Sequence, residues 1–84
     1  MEAEFDGLLR NSRAILSANE ASEVREFVEA REYSLALEAF CGALLDENKH
    51  VTPALYSRIQ NLAEQLDGVD PSLIDSVKAA IRAE

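Results

Sequence analysis

The chain has 84 residues, 48% of them hydrophobic and 29% charged, with a net charge of -8. That balance describes one small globular domain, residues 1–84, with no room for a second, and it argues against disorder. The acidity disfavours direct contact with nucleic-acid phosphates and anionic membranes and favours a basic protein partner, although many soluble proteins are acidic without one.

A single cysteine, Cys41, cannot form an intramolecular disulfide, in keeping with a reducing compartment. The amino-terminal MEAEFDGLL carries acids where a secretory signal carries Lys or Arg. The longest apolar run, residues 39–45, is interrupted by Gly42 and is far short of the roughly 20 residues that span a bilayer. The expected setting is therefore cytoplasmic, with no membrane contact.

Residues 2–17 are predicted as a first helix, because Phe5, Leu8, Leu9, Ser12, Ile15 and Leu16 follow the spacing of one helical face. Either Ser17 or Asn19 can cap the second helix; with Ser17, Glu20 completes a capping box. That helix, residues 20–31, places Val24, Phe27, Val28 and Arg31 on one arc and Glu23, Glu26 and Glu29 on the opposite one.

Ser34 is the expected cap of a third helix, residues 34–48, whose apolar residues Leu37, Phe40, Cys41, Leu44 and Leu45 cover more than half its circumference. This is the central, most buried helix. Residues 47–51 read as a loop, and Thr52-Pro53 supplies a cap followed by proline at the first helical position. Leu55, Ile59, Leu62 and Leu66 form the apolar stripe of the fourth helix, which Asp67-Gly68 ends. Asp70-Pro71 opens a short fifth helix carrying Leu73, Ile74, Val77 and Ile81. No alternating β-branched run suggests a strand. The expected fold is all-α, a compact bundle of four to five helices around the third, with Leu37, Phe40, Leu44, Leu55, Ile59, Leu62 and Val77 buried.

No catalytic apparatus is legible. His50 is the only histidine and has no partner ligands for a metal, Cys41 lies on an apolar face where burial raises its pKa, and the serines and threonine at helix starts (Ser17, Ser34, Ser72, Thr52, with Ser22) read as caps. The chain is expected to be no enzyme and to use no cofactor and no metal. Gly42 costs about 0.5 to 1 kcal/mol relative to alanine inside a helix and so calls for a reason. Close approach of a neighbouring helix is the first explanation, and a partner's side chain lodging on exposed backbone is the second.

Charge is concentrated. Residues 20–47 hold eight acids against two bases and so carry -6 of the net -8. A solvated face accounts for Glu23, Glu26 and Glu29; the functional reading is that the second and third helices present an acidic surface to a basic groove.

EYSLALEAFCGALL looks like the second half of a tetratricopeptide motif, with Ala36, Phe40 and Ala43 at the small, aromatic and small positions, which implies a tight helical hairpin. A longer resemblance covers most of the chain. VREFVEAREYSLALEAFCGALLDE, then a loop and a Thr-Pro-started helix with LAEQL, is similar to MafI-type immunity proteins of bacterial polymorphic toxin and contact-dependent inhibition systems. The resemblance implies binding and neutralising a cognate secreted toxin, typically a nuclease acting on RNA. Such a partner is basic where it holds phosphates. On this reading Glu23, Glu26, Glu29 and Glu32 steer the encounter, Tyr33 is an amphipathic anchor, and Asp46 and Glu47 form a second acidic point. The chain is taken as a monomer, with no direct nucleic-acid contact. The alternative is a helical adaptor that grips a peptide in an apolar groove, and a homodimerising subunit is a third reading.

Overall fold

The computed structural model describes residues 1–13, 15–46 and 51–81. Five helices follow one another: α1 (Glu2–Asn11), α2 (Ala18–Glu29), α3 (Tyr33–Asp46), α4 (Pro53–Gln65) and α5 (Pro71–Ala79). The all-α bundle is thus as expected. The described residues contain no strand longer than an isolated parallel bridge between Val51 and Ile81, and no described helix is long and apolar enough to cross a membrane.

Helix α1 is shorter than its periodicity suggests. It stops at Asn11, whose side chain donates to the Gly7 carbonyl, and the N–H of Ser12 turns back to Leu9. The Ser12 carbonyl then accepts from both Ile15 and Leu16, so this tight turn still delivers Leu16 to the core. Local polar bonding and the extended backbone required at the next cap together end the helix. That cap is Ser17 (φ -71°, ψ 165°). Its hydroxyl accepts from Glu20 N–H at 3.1 Å while Glu20 Oε1 accepts from Ser17 N–H at 2.9 Å, a complete capping box.

Arg31 was expected on the apolar arc of the second helix, but it is exposed and lies beyond the end of α2 with φ 62°. Glu32 N–H reaches the Phe27 carbonyl and Arg31 N–H the Val28 carbonyl, the paired bonds of a Schellman turn. The turn satisfies the carbonyls at the end of α2 and sends the chain back as α3. Glycine is usual at the left-handed position; here an arginine occupies it.

Ser34 is a second correction. Helix α3 already begins at Tyr33, and the Ser34 hydroxyl donates instead to the Asp67 carbonyl at 2.6 Å. The expected end of the third helix at Asn48 lies outside the described residues. Thr52 caps α4 by accepting from Leu55 N–H at 3.1 Å, and Asp70 caps α5 by accepting from Ser72 N–H at 2.9 Å. Ser72 and Ser22 are therefore inside their helices rather than capping them. Helix α4 ends slightly before Asp67-Gly68, and Gly68 (φ 85°) turns the link to α5 where a side chain would be strained.

Helix α3 is the centre, packing on α2, α4 and α5, while α1 bridges α2 and α4. Ala36, Leu37, Phe40, Cys41 and Leu44 are buried along it. All seven expected core residues are buried, and they are joined by Phe5, Leu8, Val24 and Val51 among others. Val51, read as loop, is held in this core at the start of the α4 segment.

Candidate functional site

The expected acids are spread along the length of the α2–α3 hairpin. Because α2 and α3 run antiparallel through their tight turn, the start of α2 lies beside the end of α3, and Glu20, Glu23 and Asp46 converge on a cleft of about 450 Å³. Its floor is made of Ala39, Gly42 and Ala43. One carboxylate oxygen of Glu20 is engaged by the capping box, whereas Glu23 and Asp46 are exposed.

Gly42 lines this cleft, and helix packing does not account for it. A Cβ built on it meets no atom within 4 Å, so no neighbouring helix requires the glycine, which corrects the first of the two sequence explanations. Asp46 lies at the carboxy-terminal, negative end of α3, where the last turn holds no basic residue. A carboxylate at that end of a helix is unfavourable by about 0.3 to 1 kcal/mol.

The remaining acids are dispersed. Glu26 is exposed on α2. Glu29 lies on the α1 side of the same helix, lining a small cavity of about 180 Å³ with Glu2, Asp6 and Arg25. Glu32 is exposed at the α2–α3 turn, at the other end of the hairpin from Asp46. Glu47, His50 and Lys49 lie outside the described residues. Tyr33, expected as an anchor for a partner, is half-buried and stacks on Phe5 with ring centroids 6.0 Å apart and planes 19° from parallel. One face of its ring is therefore used within the fold.

The residue that sequence reasoning missed is Leu35, the one large hydrophobic side chain left exposed among the described residues, at 44%. It lines a shallow groove with Tyr33, Leu66 and Asp67 at the turn. The signal was its position one residue before Ala36-Leu37, off the arc that faces the core. Cys41 is fully buried, and burial, with Glu38 adding to it, pushes its thiol up to about 12, so it packs as a small hydrophobe. No protein-family model, curated protein or solved structure matches the chain.

Proposed function

We propose that the chain is an immunity protein of the kind its sequence resembles, a stoichiometric inhibitor that binds and neutralises a cognate bacterial toxin, a basic nuclease acting on RNA, in the cytoplasm. The observation that carries this reading is the cleft in which Glu23 and Asp46 stand over Gly42. Carboxylates on both walls and a floor without side-chain bulk suit one Lys or Arg of the partner, whose stem would lie on Ala39 and Ala43. Desolvated charge pairs of this kind favour the correct partner and slow its release, while the surrounding acids on α2 speed the encounter.

Co-expression with the product of the neighbouring upstream gene tests the proposal, scored by growth rescue and by a co-purifying complex. Protection with complex formation is expected. Glu23→Lys with Asp46→Lys should abolish both, whereas Glu26→Lys, Glu29→Lys and Glu32→Lys together should mainly slow association and flatten its salt dependence. If the two proteins neither associate nor protect, the immunity reading falls. A second reading, the adaptor that grips a peptide, is favoured by the exposed Leu35 beside Tyr33 and Leu66. In that case Leu35→Ala, and not the acidic substitutions, should abolish partner capture.

A further inference from the structure

One cleft of the molecule has the opposite charge to the rest of it. About 580 Å³ in volume, it lies between the end of α1 and the start of α2, where Arg10, Arg13 and Arg25 are opposed only by Asp6. Three of the eight basic residues of an acidic chain thus share one concavity. None of the three makes an ion pair among the described residues, whose one salt bridge joins the amino terminus to Glu4. Ser12 also lines the cleft; it is fully buried, and its hydroxyl has no hydrogen-bond partner there. Ala18, in the first turn of α2, adds a main-chain N–H at a helix end whose intrahelical partners are missing.

We infer that this cleft is a binding site for a small phosphate-bearing anion. Guanidinium groups present planar forks that match phosphate oxygens in pairs. A dianion uses several of these forks at once, where a single carboxylate uses one. The Ala18 amide supplies a neutral donor to the same oxyanion, and rotation of the Ser12 side chain about its Cα–Cβ bond gives its buried, unpartnered hydroxyl a partner there. The volume exceeds that of one phosphate and falls within the range of small-molecule pockets, so inorganic phosphate and a phosphomonoester both fit. A nucleic-acid strand is disfavoured because the chain carries a net charge of -8 and Arg25 also lines a neighbouring cavity with Glu2, Asp6 and Glu29.

Heteronuclear NMR titration of the full chain tests the inference, using inorganic phosphate, adenosine 5′-monophosphate and adenosine, with sodium chloride matched for ionic strength. Saturable shifts at Ser12, Ala18 and Arg25 with phosphate are expected, and none with adenosine or chloride. Tighter binding of the monophosphate than of phosphate identifies a phosphomonoester as the ligand; equal binding identifies the free anion. Arg25→Gln should weaken binding by about tenfold and Ser12→Ala by roughly fivefold, while Arg58→Gln, on α4, leaves it unchanged. Ser12→Ala also removes an unpartnered buried hydroxyl, so the free variant should melt no lower than the parent even as it loses affinity. Linear shifts reproduced by chloride, affinity untouched by Arg25→Gln, or tighter binding of a single-stranded oligonucleotide than of the monophosphate would each overturn the assignment.

Discussion

Ser34 Oγ donates a 2.6 Å hydrogen bond to the main-chain carbonyl of Asp67, joining the first turn of α3 to the link between α4 and α5 across 33 residues of chain. A serine that caps its own helix is an acceptor; this one is a donor to a distant carbonyl. The difference is measurable by urea denaturation. Ser34→Ala should cost about 0.5 to 1.5 kcal/mol. Ser34→Asp, a good substitute at a helix cap, should cost more, because an ionised carboxylate only accepts and here it would face another acceptor.

Arg31 holds a left-handed conformation (φ 62°) that costs a residue with a side chain about 1 to 2 kcal/mol. Glycine adopts it freely but loses more chain entropy on folding, about 0.4 to 1 kcal/mol. Arg31→Gly should therefore stabilise the protein, by up to about 1 kcal/mol, and raise its melting midpoint by several degrees. Arg31→Val, β-branched at the same position, should lower it.

Gly42→Ala separates stability from binding. Helix propensity favours alanine by about 0.5 to 1 kcal/mol, and nothing within 4 Å obstructs the added methyl group. The free protein should become more stable in thermal melts. If the acidic cleft receives a partner's basic side chain, the complex should nevertheless dissociate faster, because the floor has been raised. Larger side chains at this position should extend the loss of affinity in proportion to their size.

Tyr33 requires two substitutions to interpret. Tyr33→Ala removes a ring stacked on Phe5 and should destabilise the free protein, with about 0.5 to 1.5 kcal/mol coming from the aromatic pair beyond the buried area. Tyr33→Phe keeps the stack. Dissociation of a partner complex measured with Tyr33→Phe would then report the hydroxyl alone; an unchanged rate would remove that hydroxyl from the interface.

Cys41 makes stability depend on pH in the alkaline range. Its thiol is pushed up to about 12 in the folded chain, from an ordinary value of about 9. The unfolded chain therefore releases this proton first, so the stabilisation is complete below the ordinary thiol range and is lost as pH rises towards 12. Urea midpoints of the parent and of Cys41→Ala, compared at neutral pH and at pH values above the ordinary thiol range, should show a steeper alkaline decline in the parent. Parallel curves would show that the thiol is not shielded.

Much of the architecture is written in short-range pattern. The Ser17–Glu20 capping box, the Thr52-Pro53 and Asp70-Pro71 starts, the wide apolar arc of α3 and the burial of Phe40 and Val77 all follow from residues within a few positions of one another. Caps and helical periodicity act over that distance, so the sequence by itself determined an all-α bundle of four to five helices, the starts of α4 and α5 and the central helix. Only the tertiary structure decided that Ser34 bonds to Asp67, that the Tyr33 ring lies on Phe5 and that Gly42 opens onto a cleft. It also parted the acids that composition had grouped, placing Glu23 with Asp46 and Glu29 near Arg25, and it gathered Arg10, Arg13 and Arg25 around Ser12. The physical reason is common to all of these. A side chain's chemistry depends on what faces it, and which helix faces which is set by how the apolar arcs of the bundle meet, a property of the whole packed core rather than of any one stretch of chain.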